Sequence, residues 1–170
     1  MIRMNLTAWE YSDALRESSR RVANYAKLGI DHEFIQGNIY DRNIIGVCGE
    51  VAVGKWLGLL PKFVGEWKPG VADLGDDIEV RTAARYRDPL FLWLRGNADP
   101  NRRYVLVVKT PNKGYHYDIV GWTYGSEVFE HGKHYPPNAE NGGRHGSYVL
   151  DARMLRDPEE LKASVLWPSI

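Results

Sequence analysis

Residues 71–83 read VADLGDDIEVRTA, and the reading of this stretch decides the fold. Its second half, from Ile78, alternates side-chain character with the two-residue period of a strand, and the preceding Leu-Gly-Asp-Asp is a turn signal. On such a strand Glu79 and Arg81 project from one face and Val80 from the other, which sets an acid and a base about 7 Å apart on one surface. That pair suits a divalent cation held by the carboxylate with a phosphate held by the base; an exposed strand face with alternating charges has the same spacing. Asp73 joins them if Leu74, Gly75 and Asp76 form a three-residue hairpin loop, because Asp73 then lies opposite Asp77. A two-residue Gly75-Asp76 turn puts Asp73 on the other face, leaving Asp76 or Asp77 as the second acid, and turn chemistry alone also explains all three aspartates.

Toward the N-terminus the period changes. Thr7 with Glu10 three residues on has the form of a capping box, and Trp9, Leu15, Val22, Tyr25, Ala26 and Leu28 follow at helical intervals. This predicts a helix over about Ala8 to Leu28, stopped by Gly29. A second helix is expected after Asp41, running to about Leu57, with Ile44, Val47, Cys48, Val51 and Ala52 as its apolar face and Gly58 at its end. Glu50 sits in its middle among Gly46, Gly49 and Gly54. Mid-helix glycines cost roughly 1 kcal/mol each against alanine, and close approach to a strand offsets that cost, with or without Glu50 reaching a shared metal.

Toward the C-terminus strand signals dominate: Ile78 to Arg85, Leu90 to Arg95, Tyr104 to Lys109 and Tyr115 to Trp122, separated by turn formers such as "GNADPN" and "TPNKG". Trp93 within "LFLWL" reads as core. Tyr124 to Ser147 is rich in Gly, Pro, His and Asn and reads as a long irregular loop. A short strand at Tyr148 to Leu150 and a helix from about Asp151 to Leu166 complete the pattern. The expected class is α/β or α+β in a single domain over residues 1–170: N-terminal helices, a mixed and mostly antiparallel sheet, and a C-terminal helix.

Composition agrees with one folded domain. The chain has 170 residues, 44% hydrophobic and 26% charged, which excludes disordered and fibrous classes. Its single cysteine, Cys48, excludes an internal disulfide framework and a multi-cysteine zinc site, and a reducing, cytoplasmic setting follows as the expectation. No apolar run approaches a membrane span and the N-terminus lacks the core of a secretory signal, so no membrane partner is expected and the whole chain is expected to be retained. Lys plus Arg equals Asp plus Glu at 22 each, which removes bulk attraction to nucleic acid. Locally the charges segregate. Glu66, Asp73, Asp76, Asp77 and Glu79 stand against Lys68, whereas Arg81 to Lys113 holds eight bases against Asp88 and Asp99. Carboxylates beside bases suit a site that holds a cation and a phosphate; a solvated charge-patterned surface is the alternative.

A helix glutamate, an aspartate before a hairpin, and a strand Glu-x-base followed by Thr82 together resemble the PD-(D/E)xK nuclease superfamily, over about Asn43 to Lys109. "GEVAVGKWLGL" is similar to the family's first helix with its acid at Glu50, Asp73 to its first aspartate, and "IEVRT" to its (D/E)xK strand. The chain also resembles a branch of small phage and bacterial proteins that read "EVRT" there and carry a Gly-Trp like Gly121-Trp122. The resemblance implies a restriction-endonuclease-like core and metal-dependent hydrolysis of DNA phosphodiesters. In that reading Glu50, Asp73, Glu79 and the Val80 carbonyl hold Mg²⁺ or Mn²⁺, and Arg81 faces the scissile phosphate. Two positions depart from the pattern: Ala72 stands where the family has proline, and Arg81 where it has lysine. Arginine cannot accept a proton, although it can hold phosphate charge and orient a water. Lys109 is the candidate for the missing ammonium, and Arg85, Arg87, Arg95, Arg102 and Arg103 for phosphate contacts. The competing reading is a non-catalytic fold of the same kind that binds nucleic acid or a phage or host protein, with a homodimer as a further candidate assembly.

Other patterns carry less. "GEVAVGK" at Gly49 to Lys55 fits most of the phosphate-loop pattern, but Trp56 occupies the position that needs a hydroxyl for magnesium. His131, His134 and His145 fit no complete zinc signature. Tyr86 and Trp122 are candidates for stacking on a base, a role that sequence does not separate from packing.

Overall fold

The computed structural model describes residues 1–27, 39–61, 71–111, 114–137 and 145–166. The chain opens with a strand, β1 (Ile2–Asn5), followed by α1 (Ala8–Lys27) and α2 (Ile39–Leu57). The start of α1 is the capping box expected there: Thr7 N donates to Glu10 Oε2 at 2.6 Å and Glu10 N to Thr7 Oγ1 at 3.2 Å. Its expected end at Leu28 and Gly29 lies outside the described residues. α2 ends because Gly58 takes a left-handed φ of +72°, which lets Leu59 N reach back to Gly54 O at 2.9 Å and satisfy a terminal carbonyl.

The strands are β2 (Ile78–Ala83), β3 (Phe91–Arg95), β4 (Arg103–Lys109), β5 (His116–Tyr124), β6 (Lys133–Tyr135) and β7 (Ser147–Asp151), with α3 (Gly125–His131) between β5 and β6 and α4 (Pro158–Leu166) after β7. They form a four-stranded sheet in the order β1-β5-β4-β2 and a three-stranded sheet in the order β3-β7-β6. β2 runs parallel to β4, with Glu79 beside Tyr104 and Arg81 beside Leu106; the other pairings are antiparallel. Parallel neighbours need a crossover, and here the connection passes through β3, a strand of the second sheet.

Alternation along β2 and β4 divides the core. Ile78, Val80, Val105 and Val107 face the helices, packing with Val47, Cys48, Val51 and Ala52 of α2, Ala14 of α1 and Leu161 of α4. Tyr104 and Leu106 face the small sheet and α3, packing with Leu92, Leu94, Leu150 and Val128. Each fully buried Ile, Leu or Val contributes roughly 1.5–3 kcal/mol of transfer free energy. The fold is thus α+β: helices on one face of a mixed sheet, a second antiparallel sheet on the other.

Four local expectations change. β1 was not anticipated; its four residues are held by Arg3, whose Nε donates to Asp118 Oδ1 at 2.7 Å across the pair with β5. The segment from Tyr124 to Ser147 contains α3 and β6, because Glu127 Oε2 accepts Tyr124 N at 3.1 Å and so starts a helix; residues 138–144 of that segment lie outside the described ones. Asp151 to Arg156 is not helical: Asp151 ends β7, a 3₁₀ turn follows at Ala152–Met154, and α4 begins at Pro158 with Asp157 Oδ1 accepting Glu159 N at 2.9 Å. Trp93 is 53% exposed, while its neighbours Leu92 and Leu94 supply the core.

The helix layer meets β2 through a residue without a side chain. A Cβ on Gly49 would fall 2.0 Å from Thr82 Oγ1, so α2 sits closer to the strand than any other residue permits. Gly49→Ala should therefore lower stability in urea unfolding by about 2 kcal/mol despite its better helix propensity. Adding Thr82→Ala should recover most of that loss, and strict additivity of the two would exclude the contact as its cause.

Candidate functional site

The edge of the four-stranded sheet is β2, and its hairpin with residues 73–77 fixes what stands there. Leu74 and Ile78 exchange both backbone hydrogen bonds, at 3.1 and 3.2 Å, around a loop of Gly75, Asp76 and Asp77 in which Gly75 takes a φ of +52°. This register is one residue away from the two-residue alternative and two from the three-residue one, and carried one step further it sets Asp73 opposite Glu79, on the face that the three-residue loop would have given it. Backbone groups of alternate strand residues point the same way, so Val80, like Ile78, directs its N–H and C=O outward at the free edge. Asp73 Oδ2 accepts that N–H at 2.9 Å.

Three carboxylates approach this edge from three directions, near enough for the charge of Asp73 to act on the other two. Asp73 lies along the edge, Glu50 comes from α2 on the helix side, and Glu79 from the opposite face of β2. Glu50 is 5% exposed and held by a two-pronged pair, with Arg21 Nη1 and Nη2 each donating to a carboxylate oxygen at 2.7 Å. Arg21 also donates to Glu17 Oε1 at 3.0 Å. Glu79 accepts from Arg102 Nη1 and has Arg81 Nη2 at 3.5 Å. Arg102 in turn faces Asp99 at 3.5 Å. Arg81 is half-exposed, its guanidinium 5.5 Å from the centre of the Tyr104 ring.

Burial, opposed by Arg21 and reinforced by the charge of Asp73, pushes the Glu50 carboxyl up to about 7. Burial and the same charge push Glu79 up against the pull of Arg81 and Arg102. Asp73 therefore acts on both glutamates, and a cation placed among them would relieve the crowding. The donors are oxygens, three carboxylates and the outward Val80 carbonyl, the set that Mg²⁺ and Mn²⁺ take. Among the described residues no three His, Cys, Asp or Glu side chains are already arranged as a metal cage, since the two glutamates are turned onto arginines.

The other candidates fall elsewhere. Arg85 and Arg87 are exposed and line a cavity past the end of β2. Lys109 is not brought to Glu79: it lies five residues along β4 from Tyr104, roughly 16 Å, and its charge acts instead on Cys48. Arg102 and Arg103, expected at phosphate, are mostly buried and hold Glu79 and Asp77. Tyr86 donates its hydroxyl to Asp118 at 2.6 Å, and Trp122 is core. "GEVAVGK" is helical throughout, with Lys55 Nζ on Asn5 O at 3.0 Å. His134 packs on Tyr148, and His131 lies 3.9 Å from Glu130. The residues not anticipated from the sequence are Arg21 and Glu17, while Arg102 holds a carboxylate and not a phosphate; the spacing of Glu17 and Arg21 marks an ion pair on α1 but not its partner on α2. Comparison of the chain with protein-family models, curated proteins and solved structures gives no match.

The elevated Glu50 has a consequence for stability. Its carboxyl binds a proton more tightly in the folded chain than in the unfolded one, so stability is highest below the ordinary glutamate value and falls as pH rises from about 4.5 through about 7. The decline reaches at most about 3 kcal/mol. Urea unfolding at pH 5 and pH 8 should show wild type losing stability across this interval, and Glu50→Gln losing distinctly less; parallel profiles would remove the effect.

Proposed function

We propose that the β2 edge is the site of metal-dependent phosphodiester hydrolysis on DNA. One observation carries the reading: Asp73, seated on Val80 N at an open strand edge, stands between two buried glutamates from opposite sides of the sheet and raises both. Asp73, Glu50, Glu79 and the Val80 carbonyl would hold Mg²⁺ or Mn²⁺, which when bound supplies a water of lowered pKa and neutralises charge on the phosphate. Neither arginine would be left without a carboxylate if the glutamates turned to a cation, because Arg21 keeps Glu17 and Arg102 keeps Asp99. Arg81, half-exposed at the mouth, presents its planar fork to two phosphate oxygens, a task for which arginine suits better than lysine. It cannot take a proton from the attacking water, and its part in this reading is to hold phosphate charge and orient that water.

The arginine pairs also favour a second reading, in which the acids are locked and the fold binds without cutting. Asp73→Asn separates the two, since asparagine keeps an acceptor for Val80 N but loses the charge. Calorimetry should show Mn²⁺ binding to wild type and a loss of at least tenfold in affinity for Asp73→Asn; equal affinity would sink the site. Cleavage of plasmid and single-stranded DNA with Mg²⁺ or Mn²⁺ should survive Arg81→Lys within about tenfold, about 1.4 kcal/mol in the barrier, and fall at least a hundredfold in Arg81→Ala. Cleavage by none of these forms would favour the binding-only reading.

A further inference from the structure

The side chain that sequence reasoning misplaced, Trp93, stands on an aromatic and cationic surface. β3 alternates so that Leu92 and Leu94 are buried while Trp93 is half-exposed and Arg95 exposed. The register of the small sheet aligns Trp93 with Val149 and Lys133, and Arg95 with Ser147 and Tyr135. Residues paired in this way share a face. Accordingly the Trp93 and Tyr135 rings stack, 5.8 Å between centres and 23° between planes, with Lys133 Nζ 5.0 Å from the Tyr135 ring centre. Trp93 also lines an open cavity of about 480 Å³ with Arg85, Arg87 and Phe91, a volume within the ordinary range for a small ligand.

We infer that this face binds single-stranded nucleic acid, an unpaired base lying on Trp93 and the phosphates beside it on Arg85, Arg87, Arg95 and Lys133. Charge favours it. Asp88 is the acid lining the cavity, and its charge acts on Arg153, which also holds Asp151 of the same sheet face. The strand must be single because bases in a duplex already stack on one another and offer no free ring face, whereas every unpaired base has one. Geometry ties the surface to the carboxylates: Ala83 lines the cavity and shares a face of β2 with Arg81 and Glu79, one two-residue step, about 7 Å, from Arg81. The inference deepens the proposed function by naming its substrate class, and it rests on that reading only for where the strand leads.

Binding can be read apart from cleavage. In EDTA, anisotropy of labelled thymine homopolymer of about 20 nucleotides should report binding that weakens with salt, by a log-log slope of about −0.7 per phosphate contact. A duplex of equal length should bind at least tenfold more weakly. Trp93→Ala should weaken single-strand binding about tenfold, Trp93→Phe less than threefold, and Arg85→Ala with Arg87→Ala should flatten the slope by about one. Both tryptophan variants should keep the wild-type far-ultraviolet circular dichroism, with Trp93→Ala melting a few degrees lower for the lost stack on Tyr135 but folded at the assay temperature. A uracil homopolymer bound more tightly than the thymine one keeps the face and assigns it to RNA. Equal affinity for duplex, or Trp93→Ala binding as wild type does, would overturn the inference while leaving hydrolysis at the β2 edge standing. Strong metal-free binding without cleavage on adding Mn²⁺ would do the reverse.

Discussion

The approach of α2 to β2 at Gly49 governs where nearly everything else lies. Because no side chain separates the helix backbone from Thr82, the next residue, Glu50, is carried down to the sheet and out of water, and a buried carboxylate needs a partner. Arg21 meets that need with two parallel hydrogen bonds, and in doing so fixes how α1 lies on α2. Gly54, one turn on, repeats the device: a Cβ there would fall 2.7 Å from Leu59 O and 3.2 Å from Leu74 Cδ2, so the helix end also packs on the hairpin that carries Asp73. Bare positions in a helix thus set the distance between the three acids.

Parallel pairing of β2 with β4 accounts for the fate of the basic residues. The register that puts Ile78 beside Arg103 brings Arg102 to Glu79 and Arg103 to Asp77, so the acidic knot is neutralised in space by bases from the later part of the basic stretch. Arginine suits this work because its fork reaches two acids at once, as Arg21 does with Glu50 and Glu17. What remains for solvent is the earlier part of the stretch, Arg85, Arg87 and Arg95, and these gather around Trp93 and not around Glu79.

Local signals were legible and long-range ones were not. The capping box at Thr7, the glycine stop at Gly58 and the strands β2, β3, β4, β5 and β7 each follow from residues within a few positions of one another. The partner of Glu50 lies 29 residues away and that of Glu79 lies 23 away; ion pairs of that span leave no periodic trace. β1 escaped notice because four residues are too few to show a period and because its Arg3 points at buried Asp118, an arrangement visible only once β5 lies beside it. Trp93 was misread for another reason. "LFLWL" is apolar at every position, and a continuous apolar run does not say which alternate set faces inward.

The edge position of β2 explains why the proposed site and the protection of the sheet involve the same residues. An exposed edge strand offers unpaired N–H and C=O groups to any other strand, and proteins block such edges with charge or with a covering segment. Here the hairpin covers Ile78, and Asp73 takes the next outward N–H for its own carboxylate. A second strand cannot pair with Val80 without displacing that charge into a site already crowded by two glutamates. Among the described residues the outward carbonyl of Val80 has a long contact with Arg81, at 3.4 Å, which a cation could replace without disturbing the sheet. Blocking an edge with an acid therefore leaves oxygen atoms beside an arginine, which is what the proposed metal-assisted chemistry on phosphate would use.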